Sequence, residues 1–265
     1  MFAKAGIISR PTAVSYDPDA QAFFTAAGIT DTTQKSAVNQ LVLDLKSYSI
    51  WTKMKALYPF VGGTASTHKW NLKDPRDLDA AFRLVFSGGW THSSTGALPN
   101  GTNGYADTKL NASSILSISS AHFIKYNRNN DLTGSKIDGC YDVSSRFIQI
   151  NYTYANAIIG NATAIALYTP TTSAGLFIAS RTASNQMKLF LNNSQIASNT
   201  TNTITALPNS TIYIGARNYE LNSFTDFYNN YECAFASIGN GLTDTEAANL
   251  YTAVQTFQTT LSRNV

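Results

Sequence analysis

The chain is poor in charge, in cysteine and in long apolar runs, and each shortage removes a class of function. Charged residues make up 13% of its 265 positions, and the net charge of +3 is scattered without a block of Lys or Arg. A phosphate backbone is gripped by clustered cations, so nucleic acid is not an expected partner. No run approaches the ~18 apolar residues of a spanning helix. Met1 to Val14 carries Lys4 and Arg10 but lacks a continuous apolar core ahead of a small-residue cleavage site. The expectation is a protein made in the cytoplasm, with no signal peptide and no membrane insertion.

Cys140 and Cys233 lie far apart and form no CxxC pair, so they read as buried thiols and not as zinc or redox ligands. Retaining glycosidases on sandwich folds need two carboxylates on one strand face, as in Glu-x-Asp-x-x-Glu. Here Glu220, Glu232 and Glu246 are widely separated, and Asp77 and Asp79 fall in a polar connection. His68, His92 and His122 share no metal-ligand spacing and no link to a nucleophile. Gly88-Gly89 and the Gly101 to Gly104 region lack the Lys-Ser/Thr of a phosphate loop. No catalytic residue, metal centre or cofactor is expected, and a glycan-cleaving enzyme is the weakest of three functional readings.

Apolar residues reach 43%, ample for a core, and the remainder is dominated by Ser, Thr, Asn and Gly, which suit turns. Asp31 and Gln34 have capping-box spacing, and Val38, Leu41, Val42 and Leu45 share one face, which predicts a helix over 31–46. A shorter helix is expected over 19–27, ended by Gly28, and another over 50–57. Beyond Thr64, short apolar or alternating runs separated by Gly, Asn, Pro and Ser predict antiparallel strands. They fall at 82–86, 114–119, 122–126, 146–152, 164–168, 175–180, 186–191, 195–198, 211–216 and 232–238. Asn192-Asn193 suits a tight hairpin, because Asn tolerates positive φ. Thr243 and Glu246 form a second capping box ahead of Ala247, Leu250, Val254, Phe257 and Leu261, an amphipathic helix expected to cover the sandwich.

Lys188-Leu-Phe-Leu-Asn-Asn-Ser-Gln-Ile-Ala197, Ile212-Tyr-Ile-Gly-Ala-Arg217 and the run from Phe235 through Asn240-Gly241-Leu242-Thr243 to Tyr251 resemble the closing half of laminin-G-like, concanavalin A-like domains. The resemblance covers roughly 65–265 and implies a mainly β fold, an antiparallel jelly-roll β-sandwich with a C-terminal amphipathic helix. A helical N-terminal region over 1–64 would precede it. Gly28 to Gly63, His68 to Pro75 and Pro99 to Thr108 are also similar to structural proteins of tailed bacteriophages. That likeness implies a virion component of tail, fibre or capsid, with other virion proteins as partners and a homo-oligomeric state.

Carbohydrate recognition needs aromatic faces to stack on sugar C–H surfaces and a few amides, hydroxyls or carboxylates to fix the hydroxyls. Trp90, His92, Asn100, Asn103, Tyr105 and Asp107 cluster in one connection, and Asn218, Tyr219, Tyr228, Asn229, Asn230 and Tyr231 in another. Trp90, His92, Asn103, Tyr105, Asp107, Asn218 and Tyr219 are the candidate ligand-binding residues, with ordinary loop packing as the competing explanation. Some laminin-G domains bind calcium at a rim, for which Asp107, Asp131 and Asp138 are the possible donors. The leading reading is a non-enzymatic virion protein that attaches to a host surface glycan. The rival is a purely architectural capsid or tail decoration.

Overall fold

The computed structural model describes residues 15–153, 156–161, 165–169, 171–219 and 224–265. They form a mainly β sandwich of two sheets with helices before and after it. In the first sheet the strand order is β13 (Ser194–Asn199), β12 (Gln186–Leu191), β11 (Gly175–Ala183), β6 (Ala121–Asn127), β17 (Cys233–Gly239), β4 (Gly96–Pro99) and β3 (Trp90–Ser93). Strand β1 (Met54–Tyr58) lies on β17 beside β4. The second sheet runs β10 (Ile165–Leu167), β9 (Asn156–Asn161), β8 (Arg146–Asn151), β7 (Ile137–Tyr141), β14 (Thr211–Ile214), β5 (Tyr105–Asn111) and β2 (Val85–Ser87). Strand β15 (Arg217–Tyr219) adds to β7 in parallel and pairs with β16 (Phe224–Asp226); every other pairing is antiparallel.

Alternation decides which side chains go where. In β5, Ala106, Thr108 and Leu110 are buried while Tyr105, Asp107, Lys109 and Asn111 are partly exposed, the period-two pattern of a sheet with one face on the core. One cluster of buried apolar side chains fills the space between the sheets, Phe123, Ile148, Ile150, Phe177 and Ile212 among them. A second lies on the far side of the first sheet, where Ile124, Tyr126, Leu176, Ile178 and Phe235 meet the helices α1 (Pro18–Ala27), α2 (Thr32–Ser47) and α5 (Asp244–Thr260). The first sheet is therefore buried on both faces and the second on one.

Local chemistry explains the helix ends. Asp31 accepts from the Gln34 N–H and starts α2, but the Gln34 carboxamide accepts from Gly62 N–H instead of closing a box. Gly28 ends α1 in the left-handed region at φ 67. Thr243 and Glu246 form a complete capping box on α5, and Glu246 also takes an ion pair from Lys53 at 2.6 Å. Asn192 adopts φ 53 in the turn between β12 and β13, as its composition predicts.

Some expectations fail. The helix expected over 50–57 is a 3-10 turn, Trp51–Lys53, followed by β1. Apolar residues there alternate between the two clusters, Met54 and Leu57 on one side, Ala56 and Tyr58 on the other. Thr64 caps the short helix α3 (Ala65–His68), and the strand expected over 114–119 is the short helix α4 (Ala112–Ile115), nucleated when Asn111 accepts from the Ser114 N–H. Phe82 to Leu84 are not strand, because Phe82 turns left-handed at φ 59, and only Val85–Ser87 pairs. Between Trp90 and Asp107, an expected loop contains β3, β4 and the start of β5. Both cysteines are buried and neither is in a disulfide. Among the described residues no helix is long and apolar enough to cross a membrane.

Candidate functional site

The outer face of the second sheet is where partly exposed aromatic rings gather. Register sets them side by side: Tyr219 of β15 lies opposite Tyr141 of β7, which lies opposite Phe147 of β8. Their rings stack in sequence, Tyr219 on Tyr141 at 4.8 Å and 11°, and Tyr141 on Phe147 at 4.3 Å and 11°. Stacked rings cover one another's faces, so the row presents ring edges outward. Beside it, Tyr105 of β5 and Tyr213 of β14 stack at 4.7 Å and 12°.

Between the two groups lies Gly139, directly opposite Tyr213, Arg217 and Gln149 in the three strand pairings it makes. It holds φ 137, and a Cβ there would meet the Ile148 carbonyl oxygen at 1.9 Å, so this position must be glycine. The centre of the face is consequently free of a side chain. Arg217 fixes its edge: the guanidinium grips Asp226 through two hydrogen bonds of 2.9 and 2.6 Å and donates to the Gln149 carboxamide at 3.3 Å. It also lies over the rings of Phe227 at 4.5 Å and Tyr141 at 5.4 Å. Pairing of Asp107 with Lys109 at 2.9 Å leaves this corner nearly neutral. The face therefore offers ring edges, phenol hydroxyls and a clamped guanidinium.

Of the seven residues singled out in the sequence, Tyr105, Asp107 and Tyr219 lie on this face. Trp90 and His92 do not. The Trp90 indole N–H donates to the carbonyls of Ser87 at 3.1 Å and Tyr105 at 3.2 Å, wedging the ring against the inter-sheet core. His92 meets His68 through Nδ1 atoms 2.9 Å apart and packs on the Phe86 ring at 4.7 Å. Asn103 accepts from Gly89 N–H at 2.9 Å and from Asn100 Nδ2 at 2.8 Å, and so shapes the turn between β4 and β5. Asn218 donates to the Thr211 carbonyl at 2.9 Å and to Ser210 Oγ at 3.0 Å. Asn229 and Tyr231 are fully buried. Tyr141, Phe147, Tyr213 and Arg217 were missed, although alternation within the expected strands 146–152 and 211–216 already turned Phe147 and Tyr213 outward.

The three aspartates considered for calcium are separately engaged. Asp138 is buried with Lys125 at 2.7 Å, Asp107 pairs with Lys109, and Asp131 pairs with Lys136. Among the described residues no three His, Cys, Asp or Glu side chains gather as a metal site. Every described Asp and Glu except Asp31 and Asp44 is in an ion pair with Lys or Arg. Surface hollows of about 400, 330 and 220 Å³ border α5 and its neighbours and touch none of the seven residues.

No family model matches the chain, and no curated protein matches it in sequence. Among solved structures it is similar to domain 4 of AbnA, a GH43 extracellular arabinanase from Geobacillus stearothermophilus in complex with arabinotriose. That match has 13% identity over 75% of this chain and 98% of the other, with a TM-score of 0.44. It is also similar to the binding domain of botulinum neurotoxin DC in complex with rat synaptotagmin II, at 12% identity, 78% and 53% coverage and a TM-score of 0.46. The binding domain of Paraclostridial Mosquitocidal Protein 1 matches at 12% identity, 77% and 53% coverage and a TM-score of 0.41. The chain spans about half of each of these two toxin binding domains.

Proposed function

We propose that the chain is a non-catalytic attachment module that binds a glycan across the outer face of its second sheet, as a component of a bacteriophage virion. The observation that carries the binding reading is the asymmetry of the sandwich. Helices cover the first sheet, while the second leaves Tyr219, Tyr141 and Phe147 partly exposed in cross-strand register, and Tyr105 and Tyr213 partly exposed and stacked diagonally across neighbouring strands. Phenol hydroxyls together with Arg217 satisfy sugar hydroxyls, and the rings supply the apolar surface beside them. The virion assignment is supported by the resemblance of Gly28 to Gly63 and Pro99 to Thr108 to tailed-phage structural proteins. In a multivalent particle a shallow site gains strength from repetition.

A glycan array probed with multimerised protein tests the first part. Tyr141→Ser and Tyr219→Ser should each weaken a positive signal about tenfold or more, the scale of a central contact residue, while Tyr251→Ser on α5 should leave it unchanged. A blank array, or loss of signal with Tyr251→Ser alone, would remove the glycan reading. Electron microscopy of labelled particles tests the second: a distal tail position supports attachment, and a lattice contact that buries Tyr141 would make the face an architectural joint.

A further inference from the structure

Between the sheets, three side chains that the aromatic face does not use form a closed triangle. Lys125 projects from β6 of the first sheet, Asp138 from β7 of the second, and Asn229 from the segment leading into β17; all are fully buried. Lys125 Nζ donates to Asp138 Oδ2 at 2.7 Å and lies 3.5 Å from Asn229 Oδ1. Asn229 Nδ2 donates to Asp138 Oδ1 at 3.0 Å and to the Ile137 carbonyl at 3.3 Å. The carboxamide therefore turns its oxygen side toward the amine. Gly215 N–H also donates to Asp138 Oδ1. The rings of Tyr152 and Tyr231 close over Nζ at 5.4 and 5.8 Å.

An isolated pair of opposite charges is costly to hold in such a place. An amine, a carboxamide and a carboxyl group fixed together out of water are also the reactants and proton carrier of amide exchange, with their encounter already made. We propose that Lys125 and Asn229 are joined by an intramolecular isopeptide bond whose formation Asp138 assists.

Asp138 first accepts a proton from the Lys125 ammonium, which frees the lone pair on Nζ. Nζ attacks Asn229 Cγ and the new C–N bond forms; the charge developing on Oδ1 is met by the Tyr231 N–H, which already donates to it at 3.2 Å, and the Asp138 carboxyl donates its proton to Nδ2, the atom that faces it. The carboxylate then takes the proton lost by Nζ and passes it to the departing nitrogen. Collapse restores the carbonyl and breaks the Cγ–Nδ2 bond, and the nitrogen departs as ammonium. One amide replaces another, so no oxidant or reductant is needed. The product ties β6 to the segment before β17 and closes a loop of 104 residues, a cross-link that restricts the unfolded chain as a disulfide does.

Mass spectrometry of the purified full-length chain tests this. The intact mass should be lower than the sequence mass by one ammonia, and proteolysis under denaturing conditions should yield a branched peptide joining Lys125 to Asn229. The branched peptide is the deciding observation, because Asn-Gly pairs such as Asn240-Gly241 also lose ammonia when they cyclise. In Lys125→Met the branched species should vanish and Asn229 should appear in a linear peptide. Recovery of Lys125 and Asn229 from the wild-type chain only in separate linear peptides would overturn the proposal, whatever the folding of the variant.

Discussion

Arg263 is fully buried, and its guanidinium is held by hydrogen bonds to uncharged oxygens. It donates to Gln258 Oε1 at 2.6 Å and to the carbonyls of Phe60 at 2.8 Å, Pro59 at 2.7 Å and Ala234 at 2.8 Å. Burial pushes the group down to about 9. The four acceptors come from the ends of β1, β17 and α5, so a single side chain ties together three elements distant in sequence. An ammonium cannot span that fork. Arg263→Lys should therefore lower stability nearly as much as Arg263→Ala, by roughly 3 kcal/mol, because either change leaves buried carbonyls unpaired. Urea unfolding midpoints measure this, and a Lys variant within about 0.5 kcal/mol of wild type would show that the fork is not needed. Nothing in the sequence marked Arg263 for this role, because three of its four acceptors are backbone carbonyls without residue identity, brought to it by elements distant in the chain.

At the level of elements, α5 illustrates what pattern alone makes legible. Its cap and its apolar stripe are local, and both occur as expected, with Ala247, Leu250, Val254 and Phe257 buried against α2 and the first sheet. Removing the cap by Thr243→Ala should cost about 1 kcal/mol, and removing packing by Leu250→Ala about 2–5 kcal/mol. Both losses should be read in the single global unfolding transition, since α5 has no separate core of its own; a distinct early transition for the helix in circular dichroism would contradict that. The failures share a cause. Strand β1 has a helix-like apolar composition, and only the partner β17, far along the chain, makes it extended. Short strands β3 and β4 sit among Gly, Asn and Ser residues whose local preference is for turns, and pairing with each other and with β17 overrides it. The aromatic face was half legible for the same reason. Each outward ring is visible within its own strand, but the adjacency of Tyr219, Tyr141 and Phe147 depends on pairing across strands.

For the whole molecule, acid tests how the histidines are held. His68 Nε2 accepts from Gly63 N–H at 3.2 Å, so its proton lies on Nδ1, against His92 Nδ1. His122 donates from Nδ1 to the Asn240 carbonyl at 2.6 Å and sits 3.2 Å from Ser237 Oγ through Nε2. Burial, helped by His92 and Arg263 in the first case, lowers His68 to about 3; burial, with a smaller contribution from Lys53, lowers His122 to about 4. Both rings are thus neutral in the native state. The unfolded chain protonates them near pH ~6.5, so below that value it binds protons that the native state refuses. Their stabilising effect is complete above pH ~6.5 and is lost as pH falls toward the native values, by on the order of 1.4 kcal/mol per pH unit for each ring. Between about pH 6.5 and 5 most carboxylates remain ionised, which isolates the histidine contribution. Guanidinium unfolding midpoints should fall steadily across that window in the wild type and less steeply in His122→Gln, which keeps a donor and an acceptor but no titrating ring. A midpoint that stays level from about pH 7 to 5 would mean that the rings accept protons without disturbing the interior that surrounds them.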